Sequence, residues 1–311
     1  MDFRGSLTGR RQSWFGLKRH IKSFLSLGVP NALLRLVARF VPSLRSGRLP
    51  APARLEEVTG YADGATFVML DPTRCENAKE LFWGDGRRPK PNDRLALDVV
   101  ARLGREADEF LDVGAYTGLF TLATTAVTPG LHAHAFEIVP AVADALEANL
   151  RRNGVADRVA VHREGLGEPG STMRVPTGEG GSALPSFYSS RMRFEKGEDV
   201  TFRSLDSIGV LLPAGARVVM KVDVEGTEDA VFGTGQMFLE TFRPDILCEV
   251  LPAADGARLD ELLAPAGLRR YLVTNTGLEE AQQIVPDPSF RDWLFSPRTP
   301  DELRARGFPV G

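Results

Sequence analysis

From residue 110 onward, short apolar runs alternate with stretches whose apolar residues recur every three or four positions. Phe110-Leu-Asp-Val-Gly114 is one such run and ends in a turn residue. It suits a parallel strand covered on both faces, where no polar side is needed. Thr117–Ala126 suits a helix, His132–Glu137 a second strand, Val139–Asn153 a helix stopped by Gly154, and Arg158–His162 a third strand. The alternation resumes with Arg217–Asp223 as a strand, Thr227–Glu240 as a helix and Asp245–Leu251 as a strand. A helix over 255–265 and a strand at Arg270–Thr274 follow. Repeated β-α-β units with short connections force a parallel sheet with helices on both faces and right-handed crossovers. The expected fold is therefore α/β and Rossmann-like, with its ligand beyond the carboxyl ends of the strands.

Around this unit the pattern changes. Residues 55–107 read as a strand/helix cap, with a strand at 64–71 and a helix from Asn92 or Asp93 to Leu103. Residues 166–204 break the alternation with Gly-rich turns and suggest an inserted hairpin or extended loop in a ligand-binding domain over 108–285. The tail, 286–311, is rich in Pro and Arg and reads as irregular. Cys75 and Cys248 lie far apart with no metal-ligand spacing, which argues against a disulfide framework or structural zinc and for a cytoplasmic setting.

Charge divides the chain. Residues 1–54 carry eleven Lys and Arg against Asp2 alone, a net +10, so that the remainder holds −13 of a total −3. Leu17–Ile21–Phe24–Leu25 and Leu33–Leu36–Val37–Phe40 recur at helical spacing on either side of Pro30, as in a helical hairpin. The longest uncharged run, Ser23–Leu34, is 12 residues, short of the roughly 20 that span a bilayer. Arg35 and Arg39 interrupt what an export signal would keep apolar. The reading favoured is a helical cap with a solvated basic face. Its rival is a basic amphipathic extension in peripheral contact with the inner face of a membrane, or docked on a partner. Nucleic acid is disfavoured, because the body is acidic and no nucleic-acid module is recognisable.

The first strand end, Asp112-Val-Gly-Ala-Tyr-Thr-Gly118, has G-x-x-x-G where a dinucleotide site would have G-x-G-x-x-G. A carboxylate two residues before the first glycine opposes a pyrophosphate and attracts an ammonium group, such as that of S-adenosylmethionine. Glu137, which ends the second strand 25 residues after Asp112, can accept both ribose hydroxyls, with Ile138 against adenine. Glu164 and Leu166, after the third strand, are placed to touch the adenine edge and face.

LDVGAYTGLFT, AFE-x-x-P with a following L-x-x-N, S-L-D, KVDVEGTE (221–228) and RPDILCEV (243–250) together resemble the FkbM family of S-adenosylmethionine-dependent methyltransferases. The resemblance spans roughly residues 108–251, and D-V-E-G-x-E is its most specific mark. It implies a class I methyltransferase fold, a seven-stranded mostly parallel sheet with one antiparallel strand, and methyl transfer, usually to a hydroxyl oxygen. The candidate cofactor-binding residues are Asp112, Gly114, Ala115, Tyr116, Thr117, Gly118, Thr121, Glu137, Ile138, Glu164, Leu166 and Asp223. Members commonly have Asn where this chain has Tyr116, so a polar contact by that Asn is not carried over.

Methyl transfer to an alcohol needs alignment and removal of a proton. Asp223, Glu225 and Glu228, at a strand end and the following helix start, are the candidate catalytic residues. Carboxylates so clustered repel, which raises a pKa, and they are also able to hold a divalent cation, a use that no other sequence feature supports. The alternative for Glu225 and Glu228 is to cap a helix N-terminus. His132 and His134 share one side of a strand and read as structural; His162 sits nearer the site. Glu249 ends a strand with its role open. Gly180–Arg191, with glycines, hydroxyls and Phe187-Tyr188, is the candidate wall or lid for a small-molecule or glycan hydroxyl acceptor. Arg87 and Arg88 form a second wall able to face an anionic substrate. The rival functions are a nicotinamide-dependent oxidoreductase on the same topology and a non-catalytic protein that binds a membrane or partner.

Overall fold

The computed structural model describes residues 25–40, 49–177 and 197–311. Its largest sheet has eight strands and is built outward from β3 (Glu109–Val113). On one side of β3 lie β4 (His132–Phe136) and then β5 (Val159–His162); on the other lie β9 (Val218–Val222) and β10 (Asp245–Glu249), all parallel. Beyond β10 comes β13 (Asp292–Ser296), antiparallel to it, then β11 (Arg269–Val273) and β12 (Leu278–Ala281). This is the class I methyltransferase-like α/β arrangement, with β12 added as an eighth strand to the seven expected.

The strands are buried on both faces, as their unbroken apolar runs require. Phe110 of β3 packs into one core and its neighbours Leu111 and Val113 into the other. The first core is closed by α3 (Pro91–Gly104), α4 (Leu119–Val127) and α5 (Pro140–Arg152). The second is closed by α6 (Leu205–Gly209), α7 (Glu228–Gly233), α8 (Gln236–Phe242) and α9 (Gly256–Leu263). The single helix expected over Thr227–Glu240 is two, α7 and α8, broken at Thr234-Gly235, where a Cβ on Gly235 would meet Leu205 Cβ at 2.9 Å.

One further expectation is corrected, and the expected cap gains detail. The tail is not irregular: it supplies β13 and the capped helix α10 (Pro300–Ala305). The strand expected at 64–71 is the second half of a hairpin, β1 (Glu57–Ala62) with β2 (Ala65–Leu70). Between that hairpin and α3 lies an additional helix, α2 (Glu76–Trp83). The insertion forms a small sheet of β6 (Gly165–Leu166), β7 (Thr172–Val175) and β8 (Glu198–Arg203). Its Gly180–Arg191 stretch lies outside the described residues. In the N-terminal segment α1 (Gly28–Phe40) is described. Pro30 falls in its first turn, where a missing N–H costs nothing, and the chain turns just before it, at Ser26 and Leu27. The apolar stretch before it lies mostly outside the described residues.

Asn149 of α5 and Asn153, which caps its C-terminal end, hold the β1–β2 hairpin to the sheet. Asn149 Oδ1 accepts from the Leu70 N–H at 2.8 Å while its Nδ2 donates to the Thr117 carbonyl at 2.9 Å. Asn153 Oδ1 accepts from the Val68 N–H at 2.8 Å and its Nδ2 donates to the Val68 carbonyl at 2.7 Å. Asn149 is 1% exposed, and Asn149→Ala would strand a buried amide and a buried carbonyl. A loss of about 2–3 kcal/mol in unfolding free energy is expected, measured by denaturant titration.

Candidate functional site

The carboxyl ends of β3, β4, β6 and β9 open on one cavity of about 380 Å³, a size suited to a drug-sized ligand. Gly114, Ala115, Tyr116, Glu137, Ile138, Glu164, Leu166, Asp223 and Glu225 line it. Sequence reasoning had singled out all nine. It had not found the opposite wall, Glu76, Asn77 and Glu80 of α2, nor Phe120, Phe202, Met173 and Lys221. Nothing local marks α2 as part of the site; only the fold brings it there. Lys221 was legible as part of K-V-D-V-E-G, at the position facing Asp112 across the β3–β9 ladder.

Asp112, Thr117, Gly118, Thr121 and Glu228 do not line the cavity. The expectation that Asp112 presents its carboxylate to an ammonium group is corrected. Its carboxyl is wholly buried, and Oδ2 accepts from the Thr121 N–H at 3.0 Å and hydroxyl at 2.6 Å, closing the first turn of α4. Burial raises its pKa. Thr117 is buried with its hydroxyl 3.1 Å from Cys75 Sγ, and Gly118 adopts the left-handed φ of +87° that starts α4. Glu228, expected as catalytic, is 2% exposed and accepts from the Gly226 N–H at 3.1 Å, so it braces the β9–α7 loop. Burial raises its pKa too.

The loop after β3 is internally bonded. The Gly114 and Ala115 amides donate to the Phe136 carbonyl, and the Tyr116 amide donates to Glu137 Oε2 at 3.0 Å. Glu137 Oε1 accepts from the Val139 amide at 2.7 Å, and burial pushes the Glu137 pKa up to about 7. A carboxylate accepts about four hydrogen bonds, so Glu137 keeps capacity for ligand hydroxyls. Tyr116 holds a left-handed φ of +50°, a region where Asn is enriched and Tyr is not. That backbone demand explains why a relative would carry Asn at this position. The buried Tyr116 hydroxyl has no hydrogen-bond partner among the described residues.

At the β9 end, Lys221 Nζ stands 2.7 Å from Asp223 Oδ2. Burial works to raise Asp223, but the Lys221 ammonium and the neighbouring Glu249 outweigh it and hold Asp223 below the ordinary carboxylate range. Glu249 is pushed the other way, by burial and by Asp223, so that the pair retains a proton near neutrality. Glu225 is raised to about 7 by burial and by the charge of Asp223. Its φ of +56° is a second left-handed non-glycine in the cavity wall, and such strain clusters where function needs a fixed side chain. Oxygens of Asp223, Glu225 and Glu249 lie within 4.8 Å of one another, a spacing that also fits a divalent cation. Lys221 already supplies positive charge there.

Arg88 also reaches the cavity, but as a partner of acids: its Nη2 is 3.1 Å from Glu80 Oε2 and 3.4 Å from Asp93 Oδ2. The expected anion-facing wall is thus corrected at Arg88. His162 lies outside the cavity, its Nε2 3.0 Å from His134 Nδ1 and its ring stacked on Phe136 at 4.4 Å. Burial lowers His134 to about 4, so the pair is neutral at ordinary pH.

The sequence matches a family model described as "Methyltransferase FkbM domain" over residues 112–277. No curated protein matches the chain. Among solved structures, a SAM-dependent methyltransferase from Agrobacterium tumefaciens is similar at 11% identity and a TM-score of 0.42, over 81% of this chain and 73% of that one. An O-methyltransferase from Bacillus cereus is similar at 15% identity and a TM-score of 0.37, over 66% and 78%. The O-methyltransferase TomG from Streptomyces achromogenes is similar at 15% identity and a TM-score of 0.37, over 67% and 79%.

Proposed function

This chain belongs to the FkbM methyltransferase family, and from that premise we propose that it moves the methyl group of S-adenosylmethionine to a hydroxyl oxygen of a small molecule or glycan. The observation that carries the reading is Glu225, a cavity carboxylate whose pKa is pushed up to about 7 beside the Lys221–Asp223 pair. A base works best when its pKa is near the operating pH, and a neutral alcohol needs one.

The cavity has parts that fit the donor. Glu137 has free acceptor capacity for ribose hydroxyls, while Ile138, Leu166 and Phe202 offer apolar faces for a purine. Half-buried Tyr116 lines the cavity as well. When bound, S-adenosylmethionine supplies a methyl group activated by its sulfonium. Asp223, kept ionised by Lys221, orients the acceptor hydroxyl, and Glu225 takes its proton as the oxygen–carbon bond forms. The wall of Glu76, Glu80, Asp223 and Glu225 is rich in hydrogen-bond acceptors. It favours an acceptor with several hydroxyls over an anionic one.

Titration calorimetry with S-adenosylhomocysteine is expected to give a Kd on the order of micromolar, with no heat from NAD. Transfer of labelled methyl to hydroxylated scaffolds should then be lost when the hydroxyl is absent. Heat with NAD alone would favour the oxidoreductase reading, and silence with both would favour a non-catalytic one.

A further inference from the structure

Helix α1 is fixed to the body by one face and presents an apolar face outward. Asn31 is 1% exposed, and its Nδ2 donates at 2.9 Å to the carbonyls of both Leu25 and Pro50. Leu34 packs against the core, and Arg35 lies over the Phe82 ring at 4.5 Å while pairing with Asp85 at 2.7 Å. These anchors set the rotation of the helix. Val29, Leu33, Leu36 and Val37, spaced as one stripe of a helix, are 83%, 63%, 52% and 44% exposed. Apolar residues grouped on one outward face mark a surface that meets something.

Charge selects the occupant. Residues 1–54 hold eleven Lys and Arg and a single acid, Asp2, and α1 itself has no acidic residue. A nucleic acid would use the charge but leave the leucines in water. A surface both anionic and apolar just beneath its charge uses both features, and a bilayer with anionic lipid headgroups is such a surface. The helix is too short to cross: among the described residues no helix is long and apolar enough to span a membrane. We propose that α1 seats this protein on an anionic bilayer, with Val29, Leu33, Leu36 and Val37 at the headgroup–acyl boundary. The proposal is independent of which acceptor is methylated.

The test is flotation of the full chain with vesicles of phosphatidylcholine alone or with about one third phosphatidylglycerol. Binding is expected only to the anionic vesicles and is expected to weaken with salt, since each basic residue near the surface contributes about fivefold. The double variant Leu33→Ser, Leu36→Ser should lose roughly tenfold or more of that binding, while its affinity for S-adenosylhomocysteine equals that of the wild type. Absence of wild-type flotation with anionic vesicles, or equal flotation of wild type and double variant, overturns the proposal. So does a wild-type dimer that the double variant converts to monomer, because the face would then cover a second copy.

Discussion

Gly114→Ala is expected to weaken S-adenosylhomocysteine binding by about 10²-fold or more, with methyl transfer falling in parallel. Gly114 follows β3 with φ at +78°, where an L side chain costs about 1–2 kcal/mol. A Cβ there would lie 1.9 Å from the Asp223 carbonyl oxygen, which belongs to backbone and cannot swing aside. The two strand ends are also tied by the Asp223 amide donating to the Val113 carbonyl at 2.9 Å. The methyl can be accommodated only by parting the β3 and β9 loops, and overpacking of this kind adds about 1–3 kcal/mol. Parting them moves Tyr116 on one side and Asp223 and Glu225 on the other, all of which face the cavity. Gly130→Ala is the control, since nothing lies within 4 Å of its would-be Cβ. Calorimetry on both variants decides the point: a Gly114→Ala protein that binds like Gly130→Ala would mean that the cofactor does not sit at the β3–β9 junction.

That junction also shows what a sequence can and cannot disclose. The run from β3 to β5 was readable because each element is local: an apolar strand, a turn glycine, a helix, with the next strand pairing in parallel beside it. β13 escaped notice because its apolar residues, Trp293-Leu-Phe295, sit among Pro286, Pro288, Pro297 and Pro300, and its burial comes from insertion between β10 and β11. The same holds for α2, whose N-cap is Cys75, an uncommon capping residue, and whose Glu76 and Glu80 reach the cavity from more than thirty residues upstream of its first loop. At the site, position along a strand was legible but side-chain direction was not. In β3 the alternation of faces sends Asp112 beneath α4 and leaves it outside the cavity lining, whereas at the end of β9 the chain leaves the sheet and Asp223 and Glu225 line the cavity. An L-x-x-N formed part of the family resemblance, yet Asn149 and Asn153 clasp a hairpin 79 and 85 residues away in sequence.

Glu225→Gln should lower kcat by about 10²–10⁴-fold on an acceptor found with the labelled donor, while donor affinity stays within about threefold of the wild type. The asymmetry follows from its place: Glu225 touches the cavity at the end of β9, whereas Glu137 and Leu166 line the part assigned to the nucleoside. The pH profile carries the sharper signature. With the Glu225 pKa at about 7, wild-type kcat should climb tenfold per pH unit below that value and level off above it. The Gln variant should be flat through the same range. Asp223→Asn should behave differently, because Asp223 is already ionised beside Lys221 and its loss leaves that buried ammonium without its nearest partner. Stability would then suffer along with rate. For Glu225 the linkage runs the other way. A carboxyl with a folded pKa above its unfolded value binds more protons when folded, so stability falls as pH rises from about 4.5 to about 7. Glu225→Gln is therefore expected to melt higher than the wild type at pH 8 and to lose that advantage below pH 5, because a neutral amide replaces a charge the cavity holds at a cost. Undiminished turnover with an unchanged pH profile in the Gln variant would remove Glu225 from the chemistry; slower turnover without the pH change would leave it the role of orienting the acceptor.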